Sequence, residues 1–209
     1  MAGNAFMKTP LGSRFRGFLP VIIDVECGGI DPLHDALLEV GAVSIRMDDH
    51  GLIHPDREYH YHIEPFEGAR LNPESLAFNK IDPYHPFRFA VPEKQAFEEF
   101  FKLIKKESKE KGCSRAVIVG HNAWFDQHFV NAVIDRNPSL KNPFHRFTSF
   151  DTATMGALAY GQSVLSKALQ SAGIPFDAQE AHSAVYDARA TALLFCKIVN
   201  RWKELGGMA

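Results

Sequence analysis

The segment that most constrains the fold is VIIDVECGG, at residues 21–29. Its apolar residues are typical of a buried β-strand, yet Asp24 and Glu26 interrupt them. Residues two apart in a strand point to the same face, so the two carboxylates lie side by side, roughly 6.5 Å apart along the chain. Ionised carboxylates at the end of a buried strand repel each other and lose solvation unless a cation neutralises them. This pair alone leaves two hypotheses open, a solvated strand end and a metal site.

The order of the hydrophobic patterns predicts an α/β domain with a mixed sheet. Strand patterns at residues 19–26, 37–47 and 57–64 come first, and the short connections between them favour antiparallel pairing. Asn72 and Asn122 are each predicted to cap the helix that follows. The remaining elements alternate, with helices at 72–79, 93–111, 123–136, 151–160, 163–172 and 183–204 and strands at 115–122 and 148–151.

Composition restricts the class of protein. The 209 residues are expected to form one domain, with residues 1–17 as an N-terminal extension that carries basic residues. The net charge of −2 gives no global positive field, so nucleic-acid phosphates would need a local basic patch or a metal ion. Three scattered cysteines favour a reducing cytoplasm, and no apolar run is long enough to predict a membrane span.

Two later segments carry acidic residues that match the first pair. Asp126 falls one turn into the helix after the apolar strand at 115–120, at the end of a strand where ligand sites collect. His182 comes just before the last helix, and Asp187 falls in its first turns. Taken singly, Asp126 and Asp187 are better explained by compensation of a helix dipole, and His182 by an ordinary surface position. Together, four carboxylates and a histidine are what a phosphate-cleaving site with two divalent ions requires.

Three motifs then resemble a known family. DVE at 24–26, HNAWFD at 121–126 and HSAVYD at 182–187 are similar to the three exonuclease motifs of the DEDDh superfamily, in that order and with the histidine five residues before the last aspartate. Longer stretches, such as RFRGFLPVIIDVE and HIEPFEGARLNPESLAFNKIDP, extend the resemblance to one branch of the superfamily over nearly the whole chain. The chain is therefore identified as a member of this superfamily.

The resemblance implies a ribonuclease H-like fold with a five-stranded mixed sheet flanked by helices. It also implies a hydrolase that removes nucleotides from the 3′ end as 5′-monophosphates. The expected substrates are the 3′ ends of tRNA and other small stable RNAs, and also single-stranded DNA. The expected cofactor is Mg²⁺, two ions per active site, with Mn²⁺ as a substitute.

The same resemblance assigns a role to each motif residue. Asp24, Glu26 and Asp187 are expected to bind the first metal ion. Asp24 also bridges to the second ion, which Asp126 supports through water. His182 is expected to be the general base that deprotonates the attacking water.

Substrate-binding residues are carried over in the same way. Phe78, Phe125 and Phe147 are expected to stack on the last two bases, and Glu74 to contact one of them. Because the chain has 17 phenylalanines, any one of them without this motif match would be assigned to the core. Asp151 matches no catalytic position, and a helix-capping role is expected for it.

The basic residues form a separate expectation. Arg14, Arg16, Lys109 and Arg115 are expected to bind RNA far from the metal ions and to serve the active site of the partner subunit in a homodimer. Taken without the resemblance, the lysines of the helix at 93–111 indicate a solvated charged face, because acidic residues are interspersed among them.

Two positions depart from the family pattern. Cys27 stands where many relatives have threonine, so a hydroxyl contact to the terminal nucleotide is lost. Ile30 stands where an aromatic residue is more common, so one stacking surface is missing.

The sequence disfavours three alternatives to a ribonuclease. A DNA-proofreading exonuclease is disfavoured by the RFRGF segment and the placement of the basic residues. A non-catalytic binding module is disfavoured because all five catalytic positions are filled. A cysteine hydrolase using Cys27 with His182 would leave four acidic residues unexplained.

Overall fold

The computed structural model describes residues 9–177, 179 and 183–207, and its strands form one five-stranded sheet in the order β3-β2-β1-β4-β5. Strands β1, β2 and β3 pair antiparallel, whereas β4 is parallel to β1 and β5 is parallel to β4. The predicted α/β class and mixed sheet are therefore confirmed. The strands are β1 Phe18–Cys27, β2 Leu37–Met47, β3 Ile53–His62, β4 Arg115–Gly120 and β5 Phe144–Asp151.

Helices cover both faces of the sheet. They are α1 Pro10–Arg14, α2 Pro73–Asn79, α3 Glu93–Glu110, α4 Trp124–Arg136, α5 Thr152–Tyr160, α6 Leu165–Ser171 and α7 Ala184–Glu204, with a 3₁₀ turn at Pro86–Arg88. On one face, Phe97 and Phe100 of α3 are fully buried, and Phe100 packs against Tyr59 of β3. On the other face, α7 packs against β1, β2 and β3. Within the described ranges, no helix is both long enough and apolar enough to cross a membrane.

Most predicted elements are present, and the largest differences in bounds are in two strands, β3 and β5. Strand β3 begins at Ile53, four residues before the predicted start, and it includes Pro55. Proline lacks the N–H that a central strand needs, but β3 is an edge strand and tolerates it. Strand β5 is longer than predicted, and the short helix α1 was not predicted.

The predicted helix caps give mixed results. Asn72 caps α2, because its side chain accepts hydrogen bonds from the backbone of the first turn, and Asp151 caps α5 as expected. The prediction for Asn122 is wrong. Its φ of 64° is left-handed, and the cap residue of α4 is Ala123, whose N–H donates to Asp151 at 3.2 Å. The turn into α4 is thus held by Asp151 rather than by its own asparagine.

Strand register places the candidate site residues in rows on the α7 face of the sheet. Directly opposite residues of neighbouring strands share a face. Gly41 lies in the same row as Asp24 and His60. A Cβ added at Gly41 would come within 2.3 Å of the Ala184 backbone. Glycine therefore allows the first turn of α7 to lie directly over the sheet. The two rows are Asp24, Gly41 and His60, and Glu26, Glu39 and His62.

Candidate active site

The acidic pair of β1 meets a third carboxylate from α7. Asp24 is partly buried, and Glu26 is only 9% exposed. Asp187 lies in the first turn of α7. This turn can lie close to the sheet because Gly41 has no side chain. One oxygen from each of Asp24, Glu26 and Asp187 lies within 4.8 Å of the other two. The fold thus gathers residues more than 160 positions apart into one carboxylate trio.

Asp126 lies beside this trio in the first turn of α4. It is 4% exposed, and its Oδ1 accepts a hydrogen bond of 3.1 Å from the backbone N–H of Val25. Strand β1 pairs with β4 only as far as Ile22, so the N–H of Val25 lies beyond that pairing. Asp126 satisfies this N–H, and the bond fixes α4 against the segment between the two acids of β1.

The acidic groups raise one another's pKa values. Burial raises the pKa of Asp24 well above its ordinary range, and the charges of Asp126 and Glu26 add to the shift. Burial and then the charge of Asp187 raise the pKa of Glu26 to about 8. Burial also raises the pKa of Asp126 to about 8, although the N–H of Val25 favours its charged form. These carboxylates therefore require a cation to be ionised together at neutral pH.

The trio fits a hard divalent cation. Carboxylate oxygens are the protein ligands that Mg²⁺ and Mn²⁺ prefer, and three of them converge here. A bound cation would also remove the repulsion that raises the pKa values. Asp126 is not one of the three converging ligands. Its position beside them suits a carboxylate that contacts an ion through water.

The predicted general base cannot be placed in this geometry. His182 lies outside the residues that the structure describes. Its role therefore remains a prediction that rests on the motif.

The trio forms the floor of a cleft of about 460 Å³. Phe78 is 64% exposed on its wall, whereas Phe125 lines it with a ring packed partly into the core. Phe147 is 83% exposed on β5 and is not among the residues that line the cleft. The other predicted residues on the lining are Glu74, Cys27 and Ile30.

Cys27 does not fit a catalytic nucleophile. The residue is 7% exposed, and burial raises the pKa of its thiol well above the ordinary value. The neighbouring carboxylates raise it further. Because the thiolate is the reactive form, the alternative of a cysteine hydrolase loses its support.

Three further residues of the site were not predicted. Asn79 lines the cleft, and its amide donates to the backbone oxygen of Cys27 at 3.0 Å. His121 lines the opposite side, and its ring contacts the hydroxyl of Thr152 at 3.0 Å. Glu39 lies next to Glu26 in the same row. Of the three, Glu39 could have been found from the sequence by aligning β1 and β2 in register.

The predicted basic residues lie away from the trio. Lys109 is exposed and lines a separate cleft of about 630 Å³, and Arg115 is exposed at the start of β4. Arg16 is exposed, with a left-handed φ of 60°. Arg14 differs from these three, because its side chain is partly buried and donates to the carbonyl of Val199 at 3.4 Å. The other basic residues lining the separate cleft are Lys102, Lys105, Lys106 and Lys141.

Comparison with known proteins identifies the family. Residues 21–195 match the model of the RNase_T family, described as an exonuclease. Ribonuclease T of Hahella chejuensis is 56% identical over 200 residues, covering 96% of this chain and 92% of that protein. Ribonuclease T of Escherichia coli K12 is 54% identical over 207 residues, covering 99% and 96%. The chain belongs to the ribonuclease T family.

Solved structures agree with the ribonuclease T assignment at the level of the fold. E. coli exonuclease I bound to a dT13 oligonucleotide matches with a TM-score of 0.69 and 16% identity, over 90% of this chain and 42% of that chain. A zinc-bound form of the E. coli exonuclease I complex with single-stranded DNA matches with a TM-score of 0.67 and 17% identity, over the same shares of the two chains. The predicted superfamily and ribonuclease H-like fold are therefore confirmed. As a ribonuclease T family member, the chain is an exonuclease that depends on divalent metal ions.

Proposed function

We propose that this chain is a 3′→5′ exoribonuclease that trims tRNA and other small stable RNAs in the cytoplasm and also degrades single-stranded DNA. The observation that carries the proposal is the carboxylate trio at the floor of an open cleft with an exposed aromatic wall. A single strand can enter such a cleft and place its terminal phosphate at the trio. The three cysteines are free and buried, which supports a reducing compartment.

The carboxylates would hold two Mg²⁺ ions, with Mn²⁺ as a substitute. Asp24, Glu26 and Asp187 would hold the first, and Asp24 would also bind the second, which Asp126 would support through water. When bound, the ions polarise the scissile phosphate and lower the pKa of the attacking water. The hydrogen bond from the N–H of Val25 keeps the carboxylate of Asp126 oriented as successive nucleotides are removed.

Proton transfer is assigned to His182. A ring nitrogen of this residue would accept the proton of the attacking water as its oxygen bonds to phosphorus. The bond from phosphorus to the 3′ oxygen then breaks, the terminal nucleotide leaves as a nucleoside 5′-monophosphate, and the 3′ oxygen of the shortened strand takes a proton from water. Histidine suits this step because its ordinary pKa lies near neutral pH.

The aromatic residues would hold the 3′ end. Phe78 and Phe125 stack on the last bases inside the cleft, and Phe147, outside the cleft lining, stacks on a base at its mouth. Glu74 accepts a hydrogen bond from a terminal base. The aliphatic side chain of Ile30, 82% exposed, gives a weaker stacking surface than an aromatic ring.

A homodimer would supply the missing positive charge. Among the described residues that line the cleft, none is a lysine or an arginine, although a bound strand brings a phosphate with every nucleotide. Lys109, Arg115, Arg16 and Arg14 are proposed to bind RNA that runs into the partner's cleft. Two-fold symmetry would then provide each active site with the basic surface of the other subunit.

Metal dependence and polarity of the reaction test the proposal directly. A 5′-labelled single-stranded RNA should give a ladder that shortens one nucleotide at a time with Mg²⁺ and remains intact with EDTA. The Asp187→Asn variant should leave the RNA intact in both conditions. Internal cleavage, or shortening in the presence of EDTA, would contradict it.

The aromatic wall is tested by a matched pair of variants. Phe78→Ala should lower kcat/KM on single-stranded RNA about tenfold, because stacking contributes about 1–3 kcal/mol per base. Phe87→Ala removes another exposed ring, 76% exposed, that does not line the cleft, and it should change nothing. Equal effects of the two variants would argue against stacking in the cleft.

Subunit mixing tests the role of the basic surface. Asp187→Asn subunits should be inactive alone, and Lys109→Ala/Arg115→Ala subunits should be only weakly active alone. When mixed, they should recover activity, because the intact cleft of one meets the intact basic surface of the other. Sedimentation should show that the protein is a dimer. If each basic surface serves the cleft of its own subunit, mixing the variants should restore no activity.

A further inference from the structure

A second group of potential metal ligands lies in the rows beside the trio. His60 and His62 are two residues apart on β3, so their rings share the α7 face, with centroids 4.5 Å apart. Glu39 of β2 is directly opposite His62. The group contains two imidazoles and one carboxylate, unlike the trio, which contains carboxylates alone.

The distances match a shared ion. Nε2 of His60 lies 3.5 Å from one oxygen of Glu39, and Nδ1 of His62 lies 2.9 Å from the other. One ligand atom from each residue lies within 4.8 Å of the other two. Two ligands of a tetrahedral zinc ion, each about 2.0–2.1 Å from it, are roughly 3.4 Å apart, between these two measured separations.

One of these ligand atoms lacks a hydrogen bond. Nδ1 of His62 is buried and makes no hydrogen bond to any residue that the structure describes. Its contact with Glu39 at 2.9 Å is an ion-pair contact of poor hydrogen-bond geometry. Burial lowers the pKa of the ring, and the carboxylate, which still favours the charged form, acts against this shift. A buried polar nitrogen left in this way is destabilising unless something else satisfies it.

We propose that Glu39, His60 and His62 form a second metal site, which binds a Zn²⁺-class transition-metal ion with water in the open position. Imidazole nitrogen favours such ions, whereas carboxylate and water oxygens favour Mg²⁺. Two neighbouring groups of ligands with different chemistry would thus select different metal ions.

Access and charge support an ion at this position. The side chains of His60 and His62 are 31% and 33% exposed, so an ion can enter from solvent. Glu39 is 10% exposed and lies next to Glu26, another acid. Arg88 is a positive charge near Glu39 and His62 that acts against a bound cation. Its guanidinium donates to the carbonyls of Leu38 and Pro83 at 2.7 and 3.0 Å.

The ion would act on the sheet rather than on the substrate. It joins β2 to the edge strand β3, and it neutralises Glu39 beside Glu26. Binding should therefore raise the melting temperature, and the rise should grow with the logarithm of the Zn²⁺ concentration above the dissociation constant. Hydrolysis by the Mg²⁺-loaded trio does not require it.

Calorimetric titration with Zn²⁺ in excess Mg²⁺ tests the site. The full chain with Asp24→Asn and Asp187→Asn, which weaken the trio, should bind one Zn²⁺. Adding His60→Gln should weaken binding at least tenfold, and His60→Cys, which retains a zinc ligand, should restore it. The control is His50→Gln, an exposed histidine in the turn between β2 and β3, and it should bind as tightly as the background.

Three results would overturn the proposal. The first is the absence of Zn²⁺ binding in the trio-weakened background. The second is equal affinity with and without His60→Gln, and the third is equal weakening by His50→Gln. The visible spectrum of bound Co²⁺ gives an independent readout, because imidazole ligation should produce bands that are lost in His62→Gln. Circular dichroism spectra that coincide establish that each variant is folded.

Discussion

On the α3 face of the sheet, Glu107 is fully buried, and on the α7 face the carboxylate trio and Asp126 are largely buried as well. Glu107 receives hydrogen bonds from the hydroxyls of Ser44 and Tyr59, at 2.5 and 2.6 Å, and from the ammonium of Lys111 at 2.5 Å. The trio faces other carboxylates, and its pKa values rise. The same sheet thus neutralises one buried acid internally and leaves the others to a ligand from solution.

The difference distinguishes a structural acid from a functional one. A buried charge that is paired and hydrogen-bonded contributes to the fold by itself. A group of buried acids without a cation is destabilising until an ion binds, so it is retained for what the ion does. Each of the following changes should therefore affect activity and stability to different extents, depending on the face of the sheet that it alters.

The largest expected effect is on activity, from Asp24→Asn. Loss of a bridging metal ligand should lower kcat/KM on the order of 10³-fold, because the metal contributes several kcal/mol to the transition state. In EDTA the same variant should raise the melting temperature, because it removes one of the mutually repelling charges. Kinetic assays and calorimetry on one preparation measure the fall in kcat/KM and the rise in melting temperature. A lower melting temperature in EDTA would show that Asp24 is neutralised within the protein.

The next effect is on stability, from Glu107→Gln. It leaves Lys111 with Asp56, at 2.7 Å, as its remaining carboxylate, and it leaves the hydroxyls of Ser44 and Tyr59 without an ionised acceptor. The free energy of unfolding should fall by about 3 kcal/mol, the lower end of the range for breaking a buried pair. The folded fraction should keep its full activity. The control is Glu110→Gln, which breaks an exposed pair with Arg57 and should change stability by less than about 1 kcal/mol. Urea titration measures both, and equal losses would remove the contrast between buried and exposed pairs.

A smaller effect on both properties is expected from Gly41→Ala. The added Cβ would overlap the Ala184 backbone, so α7 must shift, at about 1–3 kcal/mol of stability. Asp187 moves with α7, so the Mg²⁺ concentration for half-maximal activity should rise. Ala42→Gly is the control on the other face. It should lose about 0.5–1 kcal/mol without any change in Mg²⁺ dependence.

The last effect concerns the metal-free protein alone, whose stability should depend on pH. Glu26 and Asp126 have pKa values of about 8 in the folded state, against ordinary values of 4.5 and 3.8. The folded protein therefore holds protons that the unfolded chain releases, so stability is full below about pH 4 and is lost as the pH rises to about 8. In EDTA the melting temperature should fall over this window, by about 2–4 °C for each kcal/mol.

Two controls accompany the pH experiment. Saturating Mg²⁺ should flatten the curve, and Glu26→Gln should reduce its slope in EDTA. If the slope is the same with and without Mg²⁺, these groups are not the ones that titrate.

How far the sequence alone leads differs between parts of the molecule. Periodicity was enough to place Asp24 and Glu26 on one face of a strand, because a period of two is a local property. Motif order connected them to Asp126 and Asp187, but no local rule could provide the 4.8 Å convergence, which depends on the register of β1 with β2 and on the close approach at Gly41.

Tertiary contacts decided the remaining differences. Asn122 has the right side chain for a cap, yet the polar contact at the start of α4 comes from Asp151, which lies 29 positions further along the chain. Likewise, the lysine-rich pattern of α3 does not reveal that Glu107 is buried and that Lys111 turns inward to meet it. Arg14 is basic in sequence, but its side chain lies against α7.

The position of Asp187 on the last helix also determines when the enzyme can first act during synthesis. Chains emerge from the ribosome from the N-terminus, at about 5–20 residues per second, and domains fold as they appear. The first strand and Asp126 are made well before α7, which alone brings Asp187 over Gly41. A chain that is unfinished, truncated or misfolded at its C-terminus therefore has two acids on a strand and no complete metal site. With Asp187 as a metal ligand, as proposed above, a nuclease of the ribonuclease T family would stay inactive beside the RNAs of the ribosome that makes it until its last helix has packed.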